Sequence, residues 1–338
     1  MPNKDSEAAL STAKSIDRQS LAAVTPEPLR LKRGMNITLG NAFEQKGFQA
    51  EIFEILKQNH FDHVRLSLYP FQFMSDPTNN YQIDENYLSS LDWTINHCLQ
   101  SGLKIIIDLH EFIKIGAEPF NYWDQFISFW EQIASRFSNY SNRLLFEILN
   151  EPNNDLDIKT WNIFLNEALK LIRETNPVRP VIIGPSHWNY ITQLDTLELP
   201  EEDRNLIITF HYYEPVNFTH QGINSSWLGA DYTNTIGTSW GTDEEKEFLI
   251  KNFEKAHQWG IKHNRPLYLG EFSVCDKAEM KYRVLYTEFT RQIAEKLNIG
   301  WAYWAFLGKT FGIFDIETKT WNKPLLKALI PDAPALKS

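Results

Sequence analysis

Eight short apolar runs, separated by longer stretches with helical spacing, narrow most sharply what this chain can become. In order they are LKRGMNI, HVRLSL, LKIIIDLH, RLLFEILNE, RPVIIGPS, NLIITFHYY, RPLYLGEF and IGWAYWAF, and the first begins near residue 29 of 338. Strands buried on both faces read as continuous apolar runs rather than alternating ones. IIID, LLFEIL and VIIG are of that kind, which points to a parallel sheet. Between the runs, residues 49–59 place Ile52, Ile55 and Leu56 on one helical face, and residues 84–101 do the same with Leu88, Leu91, Ile95 and Leu99. Further helices are expected over 120–138, 156–174, 243–262 and 277–297, with a short one over 323–330. Eight strand and helix units without an internal break predict an α/β chain folded as a single (β/α)8 barrel over residues 29–338, behind a polar leader over 1–28. An open doubly wound sheet is the competing arrangement, but no G-x-G-x-x-G turn follows the first run. Residues 186–198 are only weakly helical, so one of the eight units also reads as a loop.

Charge limits the partners. With 43 acidic and 33 basic residues the net charge is −10, which repels polyanions, so nucleic acid and anionic membrane are not expected as partners. No window of 18 apolar residues is present to span a bilayer as a helix. Cys98 and Cys275 carry no C-x-x-C or zinc-type spacing and are expected to be buried thiols. The leader lacks the apolar core of a secretory signal, so export cannot be argued from the residues themselves. The 11 Trp, 13 Tyr and 22 Phe supply flat apolar surface, which serves either a Phe-rich core or platforms on which sugar rings and bases stack.

In a barrel of this type the site lies at the C-terminal strand ends, where the loops converge. This chain places polar residues there repeatedly: Asn36, Arg65, Asp108 and His110, Asn150 and Glu151, His187 or Trp188, His211 and Tyr213, Glu271, and Trp304. Singly, each has a plain structural reading. Arg65 fits a salt bridge, His110 a satisfied core histidine and Trp304 a packing residue. Their joint registration with the strand ends does not. Glu151 follows FEILN and Glu271 follows LYLG, so each carboxylate sits where burial without a partner or a task is costly. Two carboxyls from different strands facing one cavity suit glycoside hydrolysis, one protonated to donate to the leaving oxygen and one ionised to attack the anomeric carbon. Arg65, Tyr213 and the histidines are expected to hold Glu271 ionised, while burial and neighbouring negative charge keep Glu151 protonated.

The ordered set, Arg65 in HVRLS, His110 in IIIDLH, Asn150 and Glu151 in FEILNEP, His211 and Tyr213 in TFHYYEP, Glu271 in YLGEF and Trp304 in WAYWAF, resembles glycoside hydrolase family 5, a family of retaining barrel glycosidases, over about residues 30–331. The resemblance implies Glu151 as acid/base, Glu271 as nucleophile, and Asn150 bonded to the sugar 2-hydroxyl. It further implies that His211 and Tyr213 orient the carboxylates, that Arg65 braces the nucleophile, and that His110 and Trp304 line the non-reducing side. FHYYEPVNFTHQG with GTDEEK downstream is similar to a bacterial endoglucanase subgroup, in a neighbourhood where some members also cleave mannan.

Two departures touch the substrate. Relatives often read G-x-N-x-G-N after the first strand, whereas Gly34-Met35-Asn36-Ile37-Thr38-Leu39-Gly40-Asn41 carries two more residues. Where the subgroup has a second histidine after His110, this chain has Glu111, expected to bond a sugar hydroxyl or sit at a subsite rim. The implied enzyme needs no cofactor or metal and acts as a monomer on a β-linked polysaccharide, a 1,4-glucan. Relatives of this kind are mostly exported, so a secreted or periplasmic location follows from the resemblance. Sugar platforms are expected at Trp188 and Trp304, then at Trp227 and Trp240, with the long stretch between His211 and Trp240 as a cleft wall. Three alternatives stay open: an endo-β-mannanase, a metal-dependent hydrolase with His110, Glu111, His211 and Glu271 as ligands, and a sugar-binding barrel without catalysis.

Overall fold

The computed structural model describes residues 30–38, 46–225 and 230–332. Eight parallel strands close on themselves: β1 (Arg33–Thr38), β2 (His63–Leu68), β3 (Lys104–Leu109), β4 (Leu144–Glu147), β5 (Val181–Ile183), β6 (Leu206–His211), β7 (Leu267–Glu271) and β8 (Gly300–Tyr303). Each pairs with its sequence neighbours and β8 returns to β1, with Arg33 opposite Trp301. The barrel expected from the eight runs is therefore present, run for run. The expected leader, the Leu39-Gly40-Asn41 part of the extended loop, and Trp227 lie outside the described residues.

Among the described residues, seven helices of seven or more residues cover the strands: α1 (Lys46–Gln58), α2 (Glu85–Gln100), α3 (Trp123–Arg136), α4 (Ile158–Thr175), α5 (Asp243–His263), α6 (Met280–Lys296) and α7 (Lys323–Leu329). Local chemistry sets their ends. Asp84, Asp157 and Asn322 each accept a backbone N–H at a helix start. Thr242 and Glu245 form a reciprocal capping box, and α5 stops where Asn264 turns left-handed. Between β5 and β6 no full helix forms, only a turn at Ser186–Asn189 and a 3-10 segment at Ile191–Thr196. The cause is that His187, Trp188 and Asn189 all take positive φ, at 57°, 63° and 54°, which a right-handed helix cannot contain. This is the unit, weakly helical in sequence, that also reads as a loop.

Alternation along each strand builds two apolar layers, and this is why the runs read as continuous. Ile105 and Ile107 face the helices, whereas Ile106 faces inward to join Leu31, Leu145, Ile182, Ile207, Tyr268 and Ala302 in a separate cluster that plugs the barrel. Toward the C-terminal strand ends the interior becomes polar, with Asn36, Arg65, Asp108 and Glu147 all buried. The opposite end is tied by Arg179. Its guanidinium donates to the carbonyls of Phe137 (2.7 Å), Tyr140 (3.0 Å), Ser141 (3.1 Å) and Leu144 (2.7 Å) and to Asn176 Oδ1 (2.7 Å).

Replacing Arg179 with Met strands these buried acceptors and is expected to cost on the order of 3 kcal/mol or more, seen as a lower Tm. Activity at 25 °C should stay within about twofold, since Arg179 is far from the strand ends that bear the site, and surviving variants lose stability rather than chemistry.

Candidate active site

Arg65 sits at the centre of the polar interior with no solvent exposure. Its Nε and Nη2 donate to Glu147 Oε2 (2.7 Å) and Oε1 (2.9 Å). Nη1 donates to Asn36 Oδ1 (2.9 Å) and Glu271 Oε1 (2.8 Å), and Nη2 also reaches Asn150 Oδ1 (2.8 Å) and Asp108 Oδ2 (3.1 Å). Five residues from four other strands or their ends thus converge on one planar fork. Burial pulls the guanidinium down, yet Asp108, Glu147 and Glu271 hold it well above its ordinary value, so it stays charged. The acids respond oppositely. Burial drives Asp108 up to about 7 and raises Glu147 as well, with Arg65 opposing both. Asn36 is locked by its own donations to Gly270 O (2.9 Å) and Tyr303 O (3.3 Å); it supports the site from below and does not line the cavity.

Above this cluster stand the two expected carboxyls. Glu151 leaves β4 on a turn with φ 39°, anchored by the Asn150 N–H to Leu109 O (2.9 Å). Its Oε1 lies 2.6 Å from His211 Nδ1. Burial pushes Glu151 to about 8, with Asp108 and Glu147 adding to the rise and Arg65 opposing it. His211 is itself driven down to about 4 by burial, so it is a neutral imidazole at neutral pH. Glu271 receives Arg65 on Oε1 and the Tyr213 hydroxyl on Oε2 at 2.9 Å. Burial raises Glu271 too, against His211 and Arg65. The asymmetry expected between the pair therefore rests on direct donors: Glu271 touches a guanidinium, whereas among the described residues no arginine or lysine pairs with Glu151. One ligand-type atom each from Glu151, His211 and Glu271 fall within 4.8 Å of one another. Oxygens that approach this closely are compatible with a retaining pair, whose carboxyl groups stand roughly 5–5.5 Å apart.

The carboxyls open into a cavity of about 550 Å³. Trp304 stacks parallel to His110 at 5.5 Å, and Trp188 sets its edge to Phe112 at 6.0 Å. His110 Nδ1 is fixed on Asp108 Oδ2 at 2.6 Å, and burial lowers it to about 3, so it too is neutral. His220, Ile223 and Tyr232 form one side, which is the wall expected from the long segment after β6.

Two expectations are corrected. Glu111 is buried and does not line the cavity; its Oε1 accepts the Phe71 N–H (2.9 Å) and its Oε2 pairs with Lys114 (3.1 Å), so it pins the loops after β2 and β3 instead of meeting sugar. Trp240 is a core residue against Tyr286 and Phe289. The ligand set His110, Glu111, His211 and Glu271 is consequently not assembled. Glu151, His211 and Glu271 are close enough to hold a cation, but both Glu271 oxygens already accept from Arg65 and Tyr213, and an adjacent guanidinium opposes a second positive charge. Glu147, the bidentate partner of Arg65, was not singled out from the sequence, and neither were Phe112, Tyr190, His220 and Phe311 on the cavity wall.

A closed parallel barrel whose fourth and seventh strands deliver paired carboxyls to one cleft defines a barrel glycoside hydrolase. Comparison with known proteins agrees: residues 27–310 match Cellulase, glycosyl hydrolase family 5. The chain is 31% identical to Endoglucanase H of Acetivibrio thermocellus over 91% of its own length, and spans 34% of that longer relative. Thermotoga maritima Cel5A, solved in complex with cellobiose, superposes with a TM-score of 0.82 at 37% identity, covering 90% of this chain and 99% of that one. The same enzyme in complex with mannotriose gives 0.82 at 36%, covering 90% and 98%. The chain belongs to glycosyl hydrolase family 5.

Arg65→Met would leave three carboxylates buried without their counterion, at a cost of about 3–5 kcal/mol. Their folded pKa values would then rise further above the unfolded ones, so the folded state binds extra protons. The variant's stability should fall as pH increases from 5 to 8, more steeply than the wild type's, in denaturant melts taken across that range.

Proposed function

We propose that the protein is an endo-acting β-1,4-glucanase that retains anomeric configuration, with Glu151 as acid/base and Glu271 as nucleophile. The observation that carries this reading is the close approach of the two carboxyls in one cleft, Glu271 held by Arg65 and Tyr213 and Glu151 raised to about 8. In the first step a Glu271 oxygen attacks the anomeric carbon while the Glu151 proton passes to the glycosidic oxygen, and the bond between that oxygen and the anomeric carbon breaks. A glycosyl ester on Glu271 results. Glu151, now ionised, takes a proton from water as the water oxygen attacks the same carbon, releasing the sugar and restoring both carboxyls. Asn150 has its carbonyl oxygen occupied by Arg65 and lines the cavity beside Glu151, with which its side chain also bonds, so its amide nitrogen is the end left to donate to the sugar 2-hydroxyl. Trp304, braced flat on His110, supplies an apolar face for a pyranose ring, and Trp188 supplies a second surface.

β-1,4-Glucan is the proposed substrate, supported by the endoglucanase relative and by the cellobiose complex of the similar Cel5A structure. The mannotriose complex of that enzyme favours a second reading, in which mannan is also cut. All the groups invoked come from one chain, which supports action as a monomer. A polymeric substrate supports a secreted or periplasmic location; among the described residues no helix is long and apolar enough to cross a membrane.

Reducing-sugar release from carboxymethylcellulose, barley glucan and mannan, measured side by side, tests the assignment. The two glucans should be cleaved, and Glu271→Gln should lower kcat on them by at least about a thousandfold without a loss of Tm. Cleavage confined to mannan would displace the glucan reading. The basic limb of kcat/KM should lie near pH 8, because the acid must carry its proton and activity is lost as pH rises through the Glu151 value.

A further inference from the structure

The strand-end loop after β5 holds an amide that the mechanism above does not use. Asn189 is fully buried, and its Nδ2 lies 3.3 Å from His211 Nε2, on the far side of the imidazole ring from Glu151. We propose that Asn189 is the positioning residue of the acid/base, choosing the His211 tautomer that keeps the Glu151 proton on the oxygen facing the substrate. This rests on the assignment of Glu151 as acid/base.

With Nδ2 donating, Nε2 is the acceptor, and a neutral His211 must carry its proton on Nδ1. Nδ1–H then donates to Glu151 Oε1 at 2.6 Å, and to the same atom whether Glu151 is protonated or ionised. The catalytic proton is thereby confined to Oε2. The opposite tautomer would leave Nδ1 as an acceptor, and Glu151 would turn its proton onto the histidine instead of the glycosidic oxygen. Among the described residues Asn189 Oδ1 has no hydrogen-bond partner, so the amide is not held by the ordinary saturation of both its ends. It is held by shape. A Cβ at Gly184 would fall 2.0 Å from Asn189 Oδ1, so only glycine there leaves the amide its place. Left-handed geometry at residue 189, φ 54°, suits asparagine better than most residues, and the same turn docks on the acid/base loop through the Trp188 N–H to Pro152 O (3.0 Å). The turn after β5, in place of a helix, is what brings this amide to His211.

Asn189→Gly keeps the left-handed backbone and deletes the amide, while Asn189→Asp keeps the volume and deletes the donor. Both are to be compared with wild type and Glu151→Gln, using kcat/KM on cellotetraose and on 2,4-dinitrophenyl β-cellobioside. The dinitrophenolate leaves without a proton, and kcat/KM reports only steps up to the glycosyl-enzyme. Both Asn189 variants should lose about ten- to a hundredfold on cellotetraose, within the range ascribed to general acid catalysis, and stay within about threefold on the activated substrate. Equal losses on both substrates in a variant with wild-type Tm would reduce Asn189 to a structural role and overturn the proposal, as would no loss on either. If Glu151→Gln itself fails to separate the two substrates, it is the acid/base assignment that falls.

Discussion

A single guanidinium organises the upper interior of this barrel. Arg65 meets three carboxylates and two amide oxygens, all buried, drawn from four other strands around the ring. Such a cluster is expensive, since desolvating ions costs several kcal/mol apiece and mutual attraction returns only part of it. The apolar plug beneath it and the shell of helices outside must offset that cost, and they also hold the eight strands still enough for donor distances of 2.7–2.9 Å to persist. Stability is traded here for the placement of charge.

The same cluster makes one carboxyl differ from the other. Glu271 shares a guanidinium with Glu147 and Asp108, and accepts a phenol besides, so its negative form is met by donors already in position. Glu151 stands one step further out, beyond direct reach of Arg65, and feels the surplus negative charge of Asp108 and Glu147. Preorganised donors at Glu271 and none of comparable strength at Glu151 suit the opposite roles proposed for these two groups of one chemical type. Neutral histidines extend this logic. His110 on Asp108 and His211 on Glu151 are both driven below their ordinary values by burial, and so they position carboxyls without adding charge.

Much of this was legible in the chain because a closed parallel barrel makes strict demands on sequence. Strands covered on both faces must be apolar throughout, so the polar residues that interrupt them at one end stand out, and Arg65, His110, Asn150, Glu151, His211, Tyr213, Glu271 and Trp304 all reach the site or its support. Glu147 escaped because it lies within the apolar run LLFEIL, where the break that should have exposed it was absorbed into the strand; a lone inward carboxylate in such a run is itself the signal. Glu111 misled for a different reason. It directly follows His110, but the chain has already turned there, and its carboxylate faces the Phe71 backbone instead of the cleft. Trp240 likewise turns back into the helical layer against Tyr286, which no local pattern announces. Asn189 was invisible because its importance depends on three successive left-handed residues, a conformation that SHWNY does not advertise.

The proposed double displacement requires a covalent bond between Glu271 and sugar. Incubation with 2,4-dinitrophenyl 2-deoxy-2-fluoro-β-cellobioside slows the second step more than the first, so the glycosyl-enzyme should accumulate and survive digestion for peptide mapping by mass spectrometry. One fluorocellobiosyl group on the peptide that contains Glu271, with none on the peptide that contains Glu151, is the predicted result. A label on any other carboxyl, or turnover of substrate to the α-anomer with no adduct at all, would contradict it.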